Sequence, residues 1–472
     1  MKLPKEVIFT IKKLEEANFE AYLVGGSVRD FLIGKKPKDW DITTNAEPED
    51  IQKIFPKNFY ENNFGTVTIF IDDFKLEITT YRIDQGYIDK RHPNSVKYTK
   101  NLEEDLKRRD FTINSMAMNT AGDVIDPFNG KKDLENKLIK AVGDPKERFK
   151  EDALRLMRAV RFAAQLNFKI EKNTNKEIKN LSENISFISK ERIRDELVKI
   201  VKSPNPKYGF DLMVELNLLK NVIPETLLGL GVGQNKHHVY DVYEHNTRAL
   251  QYTADQNYSL EVRLAALFHD VAKPQTKQGD GYNSTFYNHD IVGAKFTRKI
   301  MKRLKFSNKE ISKVSLLVRY HLFYYNVDEV MESSVRRLVA KVGIENMEDL
   351  IKVRFADRIG SGTPKAEPYK LRHFRYMINK VSKDPLSVKM LKIKGDELIK
   401  ILNISPGPKI GMLLNALFSE VLDDSKKNTR EYLEKRVKKL NKLAISELSE
   451  ITKNKDKKLA LIEKEERKKF KV

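Results

Sequence analysis

The hydrophobic pattern changes period once, near residue 140, and this constrains the fold more than any other feature of the chain. Before that point apolar residues alternate over short runs. "AYLVGG" stops at glycines, while "TVTIFI" and "KLEITTYRI" repeat with the period of half-buried strands. A run at helical spacing, Leu3 to Ala17, precedes them. After "AVGDPKERF" the period becomes helical and stays so through "EDALRLMRAVRFAAQLNF", "KERIRDELVKIV" and "GFDLMVELNLLKNVIP". One chain must therefore hold a small α+β unit and a long all-helical remainder. Its 472 residues leave room for roughly two to four domains.

A glycine-rich break, "GLGVGQNKHH", separates the first helices from a histidine-bearing helical segment of about residues 235 to 370. "SPGPKIGMLLNALF" and a Lys-rich helical tail from about Lys426 follow. Cysteine is absent, which excludes disulfides, thiolate nucleophiles and Cys-ligated zinc, and leaves histidine and carboxylates as metal ligands. A net charge of +21 suits a polyanionic partner such as nucleic acid. The N-terminus lacks the order of a signal peptide and no run of about 18 apolar residues occurs, so a cytoplasmic protein without membrane association is expected.

The stretch "GGSVRDFLIGKKPKDWDITT", residues 25 to 44, carries the first sign of chemistry. On a strand, side chains two apart share a face, so Asp39 and Asp41 would point the same way and form a claw for a divalent ion. Gly25 and Gly26 would present backbone N–H groups to a triphosphate, and Arg29 would add charge-assisted donors. Glu77 in "KLEITTYR", on a neighbouring strand, is a third candidate carboxylate.

G-G-x-V-R-D, then L-x-G, then D-x-D resembles the nucleotidyltransferase signature of the class II tRNA nucleotidyltransferase and bacterial poly(A) polymerase family. "EEDLKRRDFTINSMAMN" resembles that family's second motif, which implies that Arg109 meets phosphate and Asp110 the ribose hydroxyl. The resemblance implies a multidomain α+β architecture. A polymerase-beta-like, mixed-sheet head (1–140) precedes an all-α neck for base recognition and RNA binding (141–225). An HD domain (235–370) and a helical body and tail with a basic C-terminus that binds tRNA (371–472) follow. The implied activity is template-independent addition of C, C and A to the 3′ end of tRNA from CTP and ATP, with Mg²⁺ at the head. The alternatives are a poly(A) polymerase, a partial CC- or A-adding enzyme, and an RNA-binding HD phosphohydrolase with an inactive head.

"EDALRLMRAVRF" places Asp152, Arg155, Arg158 and Arg161 three residues apart, as neighbours along a helix. A carboxylate accepts from the exocyclic amine of cytosine or adenine and a guanidinium donates to the ring acceptors beside it. Uracil and guanine present the opposite order and would leave buried groups unpaired. The resemblance implies the same roles, with Asp152 and Arg155 reading the base, Arg158 nearby, and Arg161 reaching phosphate. The segment "YRIDQGYIDKRHPNSVKYTKNLEEDL" resembles the flexible loop of complete CCA-adding enzymes, and the arginine-rich block of poly(A) polymerases is not seen after D-x-D. "GDELIKILNISPGPKIGMLLNALFSEVLDD" resembles the segment that grips the tRNA elbow.

Five of the eight histidines fall between His237 and His289. His269 next to Asp270 in "LFHDVAKP" resembles the mark of the HD metal-dependent phosphohydrolases. His245 and Asp357 would complete a four-residue set for one divalent ion, Ni²⁺ or Mn²⁺, and His289 and His321 would hold a second ion or a phosphate. HD relatives attached to tRNA nucleotidyltransferases hydrolyse cyclic 2′,3′-phosphates or 2′-phosphates, which makes end-cleaning a second expected activity. The oligomeric state stays open.

Overall fold

A computed structural model describes residues 2–37, 39–60, 65–87, 93–235, 239–327 and 329–448. His237 and the Lys-rich tail beyond residue 448 lie outside the described residues. The chain forms two compact units, Met1–Pro224 and Glu225–Val472. The divide falls beside the expected end of the neck at 225.

The first unit is built on a seven-stranded mixed sheet. Its strands are β1 (Ala21–Val24), β2 (Asp41–Thr44), β3 (Asn58–Tyr60), β4 (Thr66–Ile71) and β5 (Phe74–Thr80), with two short strands added after a ribbon. That ribbon is β6 (Arg82–Tyr87) against β7 (Pro93–Tyr98), and the short strands are β8 (Ala117–Met118) and β9 (Val124–Ile125). The order is β3-β4-β5-β2-β1-β8-β9, so β2 lies mid-sheet, antiparallel to β1 and parallel to β5. Leu23, Ile42, Ile78 and Ile69 are fully buried on these neighbouring strands, which is why the sheet holds its register at this place.

Two local readings change. "KLEITTYRI" is not one strand: the buried Tyr81 donates its backbone N–H to Thr44 O and ends β5, and Arg82 begins the β6–β7 ribbon. The expected flexible loop therefore begins as an antiparallel pair, registered Arg82↔Tyr98 through Tyr87↔Pro93, because the two runs satisfy each other's backbone groups. Residues 88–92 at its tip lie outside the described residues.

The helix expected from Asp152 through Arg161 is broken at its start. Pro145–Glu151 ends at Asp152, and Leu154–Leu166 begins after Ala153. The Asp152 carboxylate accepts from Leu154 N at 3.0 Å and so starts the second helix instead of sitting within it. Leu156, Met157, Ala159 and Val160 bury the next turn, and Lys190–Val201 packs against it through Ile193, Leu197 and Ile200.

In the second unit, Val242–Asp255, Leu260–Phe268, His289–Arg303, Asn308–Tyr320 and Ile344–Gly360 form a helical bundle. Gly360 lets two of its helices close up: a Cβ there would lie 2.7 Å from His245 O. The C-terminal helices Gly395–Leu402, Pro408–Asp423 and Arg430–Leu440 share a separate core around Leu398, Leu413, Leu417 and Val437.

Candidate active site

Gly25 turns the chain from β1 into the helix Gly26–Leu32 at φ +72° and ψ −135°, a conformation that only glycine adopts without strain. The turn is also closely approached: a Cβ on Gly25 would lie 3.1 Å from Arg109 Nη1 and 3.7 Å from Asp41 Oδ2. Two expected phosphate and metal groups thus meet at the glycine. In register, Asp41 stands between Val24 on β1 and Glu77 on β5.

Asp39 lies in the bend before β2, not on the strand, because the pairing begins at Val24↔Asp41. Both aspartates nevertheless line one cleft of about 1100 Å³. Burial pushes the Asp41 carboxyl up; Arg109 pulls it back down in part, and Glu77 and Asp39 push it further up. Among the described residues neither aspartate makes an ion pair, so a divalent cation would find two unpartnered carboxylates, one of them poorly hydrated. Glu77 is not among the residues lining the cleft; its carboxylate takes Lys75 Nζ at 2.8 Å.

The arginines are held from behind by acids. Asp105 is fully buried and accepts from Arg108 Nε at 2.9 Å and from Arg109 Nη2 at 3.3 Å. Arg108 and Arg109 outweigh the burial of Asp105 and hold its carboxyl below the usual range. Arg29 lines the cleft, but its donors are engaged by Asp30 and by Asn114 Oδ1, the latter at 2.7 Å. Asp110, expected at the ribose, accepts from Phe111 N at 2.9 Å, Asn114 Nδ2 at 3.2 Å and Arg158 Nε at 2.7 Å. Burial would raise its carboxyl, but Arg158 and these hydrogen bonds outweigh it and bring it to about 2. It is an anchor for Arg158 as much as an open acceptor.

Asp152 and Arg155, both expected to read the base, are held by different partners. Arg155 donates to Glu151 Oε2 at 2.6 Å and to the carbonyls of Arg148 and Arg108, while Asp152 accepts from Arg192 at 2.9 and 3.4 Å. The physical reason is the helix break: Asp152 leaves the stripe and turns toward the Lys190–Val201 helix. Arg161, expected to reach phosphate, is committed to a partner within the fold. It pairs with Glu196 at 2.9 Å and stacks over Phe162, 4.1 Å from the ring centroid, with Arg29 and Arg158 also against that ring. All the same, Asp152, Arg155, Arg158 and Arg161 line the same cleft as Gly25 and Asp41. Arg192, Lys199 and Lys202 also line it and were not singled out from sequence. Arg192 and Lys199 lie seven residues apart, on the flank of the apolar stripe Ile193, Leu197 and Ile200, and that spacing was the available signal.

A second constellation lies in the helical bundle. His245, His269 and Asp357 form one compact group of potential metal ligands, and Asp270, His289 and His321 form another. The expected four residues come together, and Asp270 also faces the second group. Its Oδ2 lies 3.2 Å from His245 Nε2 and 3.4 Å from His269 Nε2, and its Oδ1 lies 3.3 Å from His289 Nε2 and 3.6 Å from His321 Nε2. His269, His289 and His321 each place Nδ1 at 2.7 Å from a backbone carbonyl, of Ala266, Phe286 and Val318. A carbonyl only accepts, so Nδ1 carries the proton and the lone pair of each neutral ring sits on Nε2, facing the centre. His245 Nε2 and His269 Nε2 lie 2.8 Å apart, which suits a cation between them. Burial raises Asp270, but Lys273 (Nζ at 2.6 Å) and the histidines outweigh it and hold the carboxyl well below the usual range. These donors fit hard or borderline divalent ions.

Three family models match the chain. Residues 21–140 match the poly A polymerase head domain, residues 167–228 the probable RNA and SrmB-binding site of polymerase A, and residues 242–360 the HD domain. The CCA-adding enzyme of Ligilactobacillus salivarius is 34% identical over 439 residues, spanning 92% of this chain and 96% of that protein. That of Enterococcus faecalis is 32% identical, spanning 91% and 94%. The CCA-adding enzyme of Lactobacillus helveticus is 48% identical over a shorter stretch of 213 residues, so there the chain spans about half of the relative's length, 53%. Among solved structures, the Bacillus stearothermophilus CCA-adding enzyme in complex with CTP superposes with a TM-score of 0.71 at 27% identity, covering 94% of this chain and 98% of that one. The Thermotoga maritima CCA-adding enzyme complexed with tRNA shares the fold, with a TM-score of 0.57 at 22% identity, covering 93% and 97%.

Proposed function

The chain belongs to the family of CCA-adding enzymes, and from that premise we propose that it adds C, C and A in turn to the 3′ end of tRNA, taking CTP and ATP without a template. The observation that carries this reading is the meeting of Gly25, Asp41 and Arg109 at one place in a cleft that also holds Asp152 and Arg192. Triphosphate, metal and base groups then share one cavity. Both matched families, nucleotidyltransferase and HD, are metal-dependent. No helix among the described residues is long and apolar enough to cross a membrane, and we place the activity in the cytoplasm.

Asp39 and Asp41 would hold Mg²⁺, which when bound activates the terminal ribose hydroxyl and stabilises the departing pyrophosphate. The chain's own residues do the rest. Arg109, kept in place by Asp105, faces the phosphates beside the Gly25 turn. Asp110 reaches a ribose hydroxyl by giving up part of its bond to Arg158. Asp152 accepts from the exocyclic amine of cytosine or adenine, with donors from Arg155 or Arg192 beside it. A base presenting the opposite order leaves these groups unpaired, a penalty of roughly 1–3 kcal/mol for each group.

The test uses labelled CTP and ATP with tRNA ending before CCA, tRNA ending in CC, and an unrelated RNA. Addition of three nucleotides followed by arrest supports the reading. Unlimited adenylation of any RNA would make the chain a poly(A) polymerase instead.

A second activity rests on Asp270, shared by two groups of ligands. We propose a phosphohydrolase site there for phosphate on RNA ends, with Ni²⁺ or Mn²⁺ as the metal, assayed on 2′,3′-cyclic and 2′-phosphates.

A further inference from the structure

The helix Tyr369–Val381 lies beyond the matched HD segment, and its sequence, "YKLRHFRYMINKV", carries four Lys or Arg and no acid. Tyr369, Arg372, His373, Tyr376 and Lys380 recur at intervals of three and four, so they share one face. Tyr369 is 61% exposed and Tyr376 is 60% exposed, an unusual state for two large rings on one helix. The rings are not scattered. His373 lies between them, with ring centroids 6.0 Å from Tyr369 and 5.9 Å from Tyr376.

This row is rooted in the core. Tyr325 OH bonds His373 Nδ1, the Tyr325 ring lies 4.7 Å from that of the buried Phe374, and Phe374 stacks on Phe323 at 4.8 Å. The platform is therefore held before any partner arrives, and little conformational entropy remains to be lost on binding. The charge beside it is partly open. Lys380 is neutralised by Glu332 and Arg375 by Glu348 and Glu367. Among the described residues, Arg372 donates to the Glu367 carbonyl and Lys370 to the neutral Asn326, and neither meets a carboxylate.

We propose that this face binds single-stranded RNA, with unpaired bases stacking on Tyr369 and Tyr376 and phosphates meeting Arg372 and Lys370. Exposed aromatic rings beside cations that no described carboxylate pairs with, here Arg372 and Lys370, are the chemistry of a base-stacking platform. A protein surface of opposite charge would satisfy the cations but would not call for two solvent-facing rings joined through a histidine. The inference deepens the reading of the C-terminal half as RNA-holding. It does not depend on which nucleotides the head adds.

The test measures binding of a fluorescent 12-nucleotide unstructured RNA, an RNA duplex of equal length and a tRNA transcript to the full chain at low and high salt. Tyr369→Ala/Tyr376→Ala should weaken the single-stranded probe by about tenfold or more, and the loss should persist at high salt because stacking is not screened. Tyr369→Phe/Tyr376→Phe should bind as the parent, duplex binding should change little, and Arg372→Gln should reduce the salt dependence. Unchanged single-strand affinity in the double alanine variant, with an unchanged thermal midpoint, overturns the proposal. So does a dimer in the parent that the same variant dissolves while its RNA affinity stays the same, since the face would then join two copies. Failure of CCA addition with single-strand binding intact would sink the catalytic reading and leave this one standing.

Discussion

The carboxylate of Asp152 is gripped by Arg192, whose Nη2 lies 2.9 Å from Oδ2 and whose Nη1 lies 3.4 Å from Oδ1. The pair joins the start of one helix to the face of another and sets the direction in which the base-reading carboxylate presents its lone pairs. Arg155, three residues on, is meanwhile committed to Glu151 and two carbonyls.

Removing that grip should loosen base choice more than it slows transfer. Arg192→Ala is expected to reduce the preference for CTP and ATP over UTP and GTP by about tenfold in kcat/KM, the size of one misplaced hydrogen-bonding group. Competition assays with all four nucleotides check it, and an unaltered ratio would show that Asp152 needs no support from Arg192.

Asp39→Ala/Asp41→Ala should abolish nucleotide transfer, by about a thousandfold or more, while leaving any HD phosphohydrolase turnover intact. Extension of tRNA lacking CCA measures the first, and turnover on a cyclic phosphate measures the second.

The raised Asp41 carboxyl has a consequence for stability. A carboxyl whose folded pKa lies above its unfolded value favours the protonated form in the fold, so at neutral pH its charge is a burden to the metal-free head. In EDTA at pH 7.5, Asp41→Asn should therefore raise the unfolding midpoint of the first unit. The advantage should shrink as pH falls through the raised value, where the parent itself takes up the proton. With Mg²⁺ present the order should reverse. Calorimetry in the two buffers checks both signs.

Gly25→Ala should destabilise the first unit by about 1–3 kcal/mol, because alanine is strained at φ +72° and ψ −135°. Its Cβ would also press on Arg109 Nη1 at 3.1 Å, so the KM for nucleotide should rise. Urea unfolding and steady-state kinetics separate the two effects.

Because Asp270 faces both histidine groups, Asp270→Asn should remove bound metal from both, whereas Asp357→Asn should deplete only the group containing His245 and His269. Metal content by mass spectrometry, with circular dichroism as a check on folding, distinguishes the outcomes.

Several of these relationships were legible before any coordinates. The period-two runs became β1, β4 and β5, and the glycines after Val24 became the turn into a helix, because strand alternation and the freedom of glycine are local properties. The adjacent His269 and Asp270, through their resemblance to HD phosphohydrolases, likewise pointed to what is a buried cluster of potential metal ligands. The break at Asp152 was not legible, since a capping acid and a helical acid occupy the same place in a three-residue repeat. Nor was the partner of Arg192, which lies forty residues away.

The sequence by itself determined the kinds of element, the order in which they come and the inventory of charged and metal-binding groups, all of which depend on neighbours within a turn or two. Only the tertiary structure decided the partners: Asp152 with Arg192, Arg161 with Glu196, Asp105 behind Arg108 and Arg109, and Asp270 between two sets of histidines. A buried charge must find its counter-charge wherever packing brings one, and packing joins residues far apart in the chain.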